Sequence, residues 1–410
     1  MEPYFSSDFF AGNRQRLREL FTGTAPIIIT ANGLAQRGAD SAFTFSQDAN
    51  FWYLTGINVP DVVLVMDRDK EYLIVPERDA NREAFDGTVN AAFLSHRSGI
   101  ETIYGGKEGW NQLGSRLKKV KHAATIAAPP AYIDHFGLYT NPARTALIAQ
   151  IKSYKPEIKM LDLAPHLVRM RTIKQPAELA AIQSAIDITG ASLRDAFKTS
   201  KRKKYATEYE LEAEISYGFR RRGADGHAFE PIVAGGRRAC TLHNVANNGR
   251  LSADELVVVD VGAEVEHYAA DITRTISLAD PSRRQRAVYA AVLDTQQYAL
   301  ELLKPGVLLK EYQQQTEHFL GEKLRELGLI KTVDYDNIRQ YCPHAISHFL
   351  GLNVHDVGDY ERPLEPGMVL TVEPGIYIMD EAIGVRIEDD IVITGKGNKI
   401  LSWKIPSELS

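Results

Sequence analysis

The chain has 410 residues, of which 44% are hydrophobic and 25% are charged, as in an ordinary globular protein. A formal charge of −5 and a pI near 6.2 predict no general attraction to nucleic acid or to an anionic membrane. Two cysteines are too few for a disulfide framework, and the first ten residues lack the basic and apolar regions of a signal peptide. We therefore expect a cytoplasmic protein without a membrane span.

Strand and helix patterns alternate along the first 170 residues. Short apolar runs at 26–30, 62–66, 72–75 and 125–128 predict strands, and helical spacing occurs at 10–21, 110–120 and 142–154. This alternation predicts an α/β domain with a mixed sheet. No glycine fingerprint follows a strand, which disfavours a dinucleotide site. The aromatic residues at 43–53 are better explained as core or interface than as an active site.

The pattern changes near Met170, where we place a boundary between domains 1–170 and 171–410. Pro176 suits the first turn of a helix that runs to about residue 197, and Thr207 with Glu210 resembles a capping box before a second helix. Strands are predicted at 229–234 and 240–243, and helices at 281–303 and 309–327. Strands and glycine turns dominate the remainder.

Two carboxylates stand in the apolar stretch LVVVDVGAEVEHYAADITR, residues 256–274. Asp260 ends a run of β-branched residues, and Asp271 precedes Ile272. A hairpin with a short polar connection would place the two carboxylates opposite each other. Carboxylates forced together in an apolar sheet repel each other and resist desolvation, so they need a cation. Taken alone, each Asp is better explained as capping a turn or pairing with an arginine.

Further acidic and imidazole groups stand in three motifs towards the C-terminus. His344, His348 and His355 lie in PHAISHFLGLNVHDVG, Glu373 lies in VLTVEPGIY, and Glu388 lies in VRIEDDIVIT. Taken singly, either glutamate is better explained by a salt bridge, and His348 by a core position. Together, two Asp, two Glu and one His form an oxygen-rich set that suits a pair of divalent ions. Two such ions can clamp a tetrahedral transition state.

The order Asp, Asp, His, Glu, Glu with these flanking motifs resembles the pita-bread metallopeptidases. The HxxxHxxGxxxHD, TxEPGxY and RIEDD segments are similar to those of the aminopeptidase P and prolidase branch. The segment TFSQDANFWYLTG resembles the N-terminal domain of the same branch. The resemblance covers nearly the whole chain and implies an α+β pita-bread catalytic domain after the α/β domain. The N-terminal domain disfavours a single-domain methionine aminopeptidase.

The resemblance also implies a role for each motif residue. Five residues would be metal ligands: Asp260, Asp271, His348, Glu373 and Glu388. Asp271 and Glu388 would bridge or nearly bridge two ions, most simply Mn²⁺, with Co²⁺ or Zn²⁺ as alternatives, and Glu373 would also take a proton from the attacking water. Residues outside the ligand set would contact the substrate or support the carboxylates: His243, His344, His355, Arg386 and Tyr377. The alternative for the three histidines is a turn or core position.

The implied activity is that of a dinuclear-metal Xaa-Pro aminopeptidase. Such a hydrolase cleaves between an N-terminal residue and a following proline through a hydroxide that bridges the metals. A prolidase acting on Xaa-Pro dipeptides is the closest alternative. A non-catalytic binding module and a metal-free amidinohydrolase are disfavoured, because all five ligand positions are filled. Asn244 and Asn353 depart from the family pattern, which leaves substrate length open. The family resemblance implies a homodimer or homotetramer.

Overall fold

The structure is a computed structural model that describes residues 4–78, 80–127, 133 and 137–409. It contains two compact units, Met1–Met170 and Arg171–Ser410. In the part of the chain that is described, no helix combines the length and the apolar character needed to cross a bilayer. Cys240 and Cys342 are both free thiols.

A mixed sheet forms the centre of the N-terminal unit, as predicted. Its strands, together with a small separate hairpin, are β1 (Ile27–Thr30), β2 (Gln36–Gly38), β3 (Ser41–Ala42), β4 (Val63–Met66), β5 (Glu71–Val75), β6 (Ile103–Gly105), β7 (His122–Thr125) and β8 (Lys159–Asp162). The sheet order is β6-β5-β4-β1-β7-β8, and β4 runs antiparallel to both of its neighbours while the other pairs are parallel. The strand predicted at 125–128 lies three residues earlier, and Ala128 is outside the described residues.

Helices surround this sheet. They are α1 (Ser7–Leu20), α2 (Ala49–Thr55), α3 (Ala80–Asp86), α4 (Ala91–Ser98), α5 (Gly106–Leu117), α6 (Ala143–Tyr154) and α7 (Ala164–Thr172), whose last residues belong to the C-terminal unit. Leu113 and Ile151 pack against β-strand residues such as Val65 in one buried cluster. Trp52 and Tyr53 of α2 are buried core residues, whereas Phe43 is exposed.

The helices of the C-terminal unit begin at the capping signals seen in the sequence. They are α8 (Pro176–Ala196), α9 (Thr199–Arg202), α10 (Glu208–Arg221), α11 (Arg283–Leu302), α12 (Leu309–Glu326) and α13 (Tyr335–Arg339). At α8 the Gln175 backbone N–H donates to Glu178 Oε2 at 2.9 Å. At α10 the Thr207 N–H donates to Glu210 Oε2 at 3.1 Å. These bonds satisfy N–H groups that a helix start leaves without partners.

Several small sheets complete the C-terminal unit. Its strands are β9 (Gly226–His227), β10 (Ile232–Gly235), β11 (Leu256–Val261), β12 (Ala263–Val265), β13 (Tyr268–Ala269), β14 (Ile272–Ser277), β15 (Val369–Val372), β16 (Gly375–Ile378), β17 (Ile383–Arg386), β18 (Asp389–Ile393) and β19 (Asn398–Ile400). They pair in the orders β10-β11-β14, β13-β12-β9, β15-β18-β19 and β16-β17. Val292 of α11 and Leu320 of α12 belong to the same buried cluster as Leu370 and Ile391.

The strand predicted at 240–243 is wrong. Gly236–Cys240 is a 3₁₀ helix, and the following residues form turns. The chain leaves the extended conformation because Gly236 has a φ of +55°, a value that disfavours other residues. The Glu208 carboxylate then accepts N–H groups from Gly235 and Gly249, which closes the intervening loop.

The predicted simple hairpin at 256–274 is also wrong in detail. β11 and β14 do pair in antiparallel fashion, but Asp260 lies opposite Thr273, and Asp271 precedes β14. The connection is not short, because it forms a second hairpin, β12–β13, around the positive-φ residues Glu266 and His267. A Cβ atom at Gly262 would lie 1.7 Å from the Ala270 carbonyl oxygen, so this close crossing requires glycine.

Candidate metal centre

Strand ends and one loop deliver the five predicted ligands to the same region. Asp260 lies near the end of β11, Asp271 directly before β14, Glu373 directly after β15 and Glu388 between β17 and β18. His348 lies in the loop before β15, where the Thr371 N–H donates to its carbonyl oxygen at 3.0 Å. The Glu388 N–H donates to Thr273 O at 3.1 Å, which joins the segments that carry Asp271 and Glu388.

Donor atoms of Asp271, His348 and Glu388 all lie within 4.8 Å of one another, an arrangement that could hold a metal ion. His348 Nε2 is 3.4 Å from Asp271 Oδ2 and also 3.4 Å from Glu373 Oε1. Asp260 is outside this closest group, and its Oδ2 accepts a 2.5 Å bond from Arg386. Its other oxygen, Oδ1, is buried without a partner among the described residues.

The electrostatics of the cluster fit a cation site. Burial, and then the neighbouring Asp260, raise the pKa of Asp271 well above its usual range. Burial, and then Asp271, do the same for the pKa of Glu388. Burial also raises the pKa of Glu373, although His348 and Arg386 oppose that effect. Asp271, Glu373 and Glu388 resist ionising together, and a neighbouring carboxylate oxygen, Asp260 Oδ1, is buried without a partner among the described residues. This oxygen-rich set matches the donors that divalent metals prefer.

The orientation of His348 is fixed by its surroundings. Its Nδ1 lies 3.0 Å from the Phe349 carbonyl oxygen, which can only accept, so Nδ1 carries the proton. The Nε2 lone pair therefore points towards Asp271 and Glu373. This is the arrangement by which proteins present a histidine to a metal.

Arg386 connects the carboxylates on the other side of the cluster. It donates to Asp260 Oδ2, to Tyr377 OH at 2.8 Å and to Thr273 Oγ1 at 3.0 Å. Thr273 Oγ1 in turn donates to Glu388 Oε2 at 2.6 Å. Burial alone would lower the pKa of Arg386. Tyr377, Asp260 and Glu388 together raise this pKa well above normal, so the guanidinium stays charged.

The outer histidines His344 and His355 lie beside the proposed ligands. Both ring nitrogens of His344 have partners: Nδ1 lies 2.8 Å from the Ala345 carbonyl oxygen, and Nε2 lies 2.9 Å from Tyr377 OH. Burial lowers the pKa of His344 to about 3. The His355 ring stands 4.3 Å from the His348 ring. Partial burial, followed by His348 and His243, lowers the pKa of His355 to about 4, so all three rings share one neighbourhood.

No role was assigned from the sequence to several residues that support the centre. Asp356, next to His355, forms buried ion pairs with Arg171 and Lys174. Gly351 leaves room for this carboxylate, because a Cβ atom there would lie 2.2 Å from Asp356 Oδ2. Glu208 closes the loop that carries His243. In the sequence, the glycine and the aspartate of the HxxxHxxGxxxHD motif, Gly351 and Asp356, are the only indication of these ion pairs.

Carboxylates and one imidazole gathered in this fold define a metallopeptidase, and comparison with known proteins agrees. Residues 180–395 match the model of metallopeptidase family M24, and residues 10–125 match that of the aminopeptidase P N-terminal domain. The chain belongs to the aminopeptidase P family of M24 metallopeptidases. This confirms the family and the fold class that the motifs implied.

Relatives match over nearly the full length of this chain. The chain is 34% identical over 412 residues to Xaa-Pro aminopeptidase 3 of Homo sapiens, covering 94% of this chain and 79% of that protein. It is 34% identical over 428 residues to Xaa-Pro aminopeptidase of Haemophilus influenzae, covering 98% and 95%. The low-pH structure of Escherichia coli aminopeptidase P superposes with a TM-score of 0.87 at 32% identity, covering 98% and 96%.

Proposed function

We propose that the chain is an Xaa-Pro aminopeptidase that hydrolyses the bond between an N-terminal residue and a following proline. One observation carries the proposal: Asp271, His348 and Glu388 converge in an M24 fold. The names of its full-length relatives support the same activity. The residue roles below belong to this proposal.

Asp260, Asp271, His348, Glu373 and Glu388 would hold two divalent ions, with Mn²⁺ the expected metal and Co²⁺ or Zn²⁺ as alternatives. Such ions supply Lewis acidity and lower the pKa of water towards neutrality. Asp271 and Glu388 are central because each lies near the other and near His348. The orphaned Oδ1 of Asp260 provides a further free acceptor for a cation.

Glu373 is the proposed proton acceptor. Its Oε1 lies 3.4 Å from His348 Nε2, so the carboxylate stands beside the place where a water on the metal ions would be held, within reach of its proton. It would take one proton from the attacking water while the oxygen adds to the carbonyl carbon. The carbon–nitrogen bond then breaks, and the proton passes to the proline nitrogen. The products are a free amino acid and a peptide that begins with proline.

Neutral imidazoles would guide the substrate. With a pKa of about 4, His355 is uncharged at neutral pH and can donate one N–H to an oxygen that gains negative charge. His243 shares that neighbourhood and is proposed for the same side. His344 already binds Tyr377 and Ala345, so a contact with the leaving proline would require it to exchange one partner.

Mass spectrometry of two peptide sets tests the proposal. With Mn²⁺ added after chelation, Xaa-Pro-Xaa peptides should lose one N-terminal residue, and matched Xaa-Ala-Xaa peptides should be cleaved far more slowly. Asp271→Ala should abolish cleavage while the circular dichroism spectrum stays folded. Cleavage of Xaa-Pro dipeptides alone would instead indicate a prolidase, and full activity in Asp271→Ala would contradict the metal mechanism.

We also propose a homodimer or homotetramer in the cytoplasm. Exposed apolar side chains in the N-terminal unit, Phe43, Phe85 and Phe93, support a contact surface there. The two free thiols are consistent with a reducing compartment. Analytical ultracentrifugation of the full chain would test the assembly, and a single monomeric species would contradict it.

A further inference from the structure

A buried arginine on β14 uses every donor it has. Arg274 lies three residues after Asp271, and its guanidinium carries five N–H groups. The structure pairs them with five acceptors: Thr273 O, Glu388 O, Asp389 Oδ1, Ile405 O and Pro406 O, at 2.6–2.9 Å. A fully paired guanidinium is held rigidly by its partners, since no other orientation satisfies all five donors.

Two of these bonds fix the segment that carries a proposed metal ligand. Arg274 Nη1 donates to Glu388 O at 2.6 Å, and Nη2 donates to Asp389 Oδ1 at 2.7 Å. The preceding residue on the same strand, Thr273, binds the Glu388 side chain. Adjacent residues of β14 therefore hold the backbone and the carboxylate of Glu388 separately.

The remaining bonds reach the last residues of the chain. Residues 401–407, here called the C-terminal segment, accept from Arg274 through the carbonyls of Ile405 and Pro406. Ser402 Oγ donates to Asp389 Oδ1 at 2.5 Å. Tyr289 OH of α11 donates to Ser407 O at 2.6 Å. The C-terminal segment is thus tied by polar bonds to the residue next to Glu388.

Apolar packing under this segment is incomplete. A pocket of about 400 Å³ lies where it meets the end of α8 and β14, and its lining includes Phe197, Ile276, Ile405 and Pro406. Side chains that border an open pocket lose the dispersion contacts of a filled core. Leu401 and Ile405 of the segment are nevertheless buried, so the hydrogen bonds of Arg274 act together with apolar contacts on this side.

We propose that Arg274 is a positioning residue for the metal centre and that the C-terminal segment sets metal affinity through it. The inference rests on the ligand role of Glu388 in the proposed function. Outer partners of metal ligands typically contribute about 10–100-fold to metal affinity. Displacing Arg274 should shift the Glu388 backbone and weaken binding within that range.

Calorimetric titration of the chelated full-length chain with Mn²⁺, and separately with Zn²⁺, tests this role. Arg274→Lys keeps the charge but loses the planar fork, so we expect roughly 10–100-fold weaker binding at one or more sites. Arg284→Lys is the matched control, because Arg284 makes a two-pronged pair with Glu381 on the surface. Wild-type affinity in Arg274→Lys would overturn the proposal.

Tyr289→Phe tests the C-terminal segment without touching the metal side of the network. It removes only the hydroxyl that anchors Ser407, and we expect several-fold weaker metal binding in a protein that remains folded. Unchanged affinity would overturn the role of the segment. A wild-type chain that binds metal but leaves Xaa-Pro-Xaa peptides intact would contradict the proposed function, whereas normal cleavage with unchanged affinity in the variants would contradict only this inference.

Discussion

Asp356→Asn probes the buried charges beside His355. The Asp356 carboxylate pairs with Arg171 and with Lys174 Nζ at 3.2 Å, and the three side chains are only 1–2% exposed. Asparagine keeps the size of the side chain but leaves two buried cations facing a neutral amide. Breaking a buried pair in this way costs about 3–5 kcal/mol. The lower end is expected here, because the asparagine side chain still offers an amide oxygen that can accept from the two cations.

A loss of about 3 kcal/mol corresponds to a fall of about 6–12 °C in the Tm of a unit of this size. The effect should depend on pH. Burial alone would raise the pKa of Asp356, but Arg171 and Lys174 outweigh it and lower the pKa. A lowered carboxyl pKa contributes stability above the pKa of the unfolded chain, about 4, and loses it as the pH falls further. The gap between wild type and variant should therefore be complete at pH 7 and shrink below about pH 4.

Thermal unfolding followed by circular dichroism, with metal saturating, measures this difference. Asp359→Asn is the matched control, since it makes the same chemical change on an exposed residue of the same loop. It should alter the free energy of unfolding by no more than about 0.5 kcal/mol. Equal Tm values for the two variants, or a gap that does not change with pH, would refute the reasoning.

Three further predictions concern the centre and its supports. Metal removal leaves buried carboxylates with raised pKa values, such as Glu388, so the metal-free protein should lose stability as the pH rises above the pKa of these groups in the unfolded chain, about 4. The gain in Tm on adding Mn²⁺ should then grow as the pH is raised from about 4, and a constant gain would contradict this. Thr273→Val removes the hydroxyl shared by Arg386 and Glu388, so calorimetry should show about 10–100-fold weaker metal binding. Glu208→Gln weakens the closure of the His243 loop and should lower kcat/KM with bound metal unchanged; loss of metal in that variant would place Glu208 with the ligands instead.

Sequence patterns were sufficient to predict the helices, because hydrogen bonds between residues close in the sequence determine where a helix begins. The helix predicted from Pro176 to about residue 197 is Pro176–Ala196, and proline and the Glu178 cap define its start. The helix predicted at 309–327 is Leu309–Glu326. The metal motifs were equally readable, since each places an acidic residue or a histidine beside an apolar strand, where such a group needs a partner.

The register between β11 and β14 and the path of the loop at 240–243 could not be predicted from the sequence in the same way. The pairing of Asp260 with Thr273 depends on an inserted hairpin whose turn residues, Glu266 and His267, are not the usual glycine or asparagine. A strand was predicted at 240–243, yet the loop that contains these residues is closed by Glu208, which accepts from Gly235 and Gly249, 27 and 41 residues away in the sequence. Long-range closure of this kind has no local signature.

The groups that support the metal centre are mostly backbone carbonyls, whereas the proposed ligands are side chains. Four of the five acceptors around Arg274 are backbone carbonyls, and two of those lie over 130 residues away in the sequence. Any residue type offers a carbonyl, so the sequence at Ile405 and Pro406 need not reveal that it supports a metal ligand. The ligand carboxylates, by contrast, must be acidic, and their burial makes them conspicuous. A sequence therefore exposes the atoms that would bind the metal, while the rigidity that sets their affinity becomes visible only in the fold.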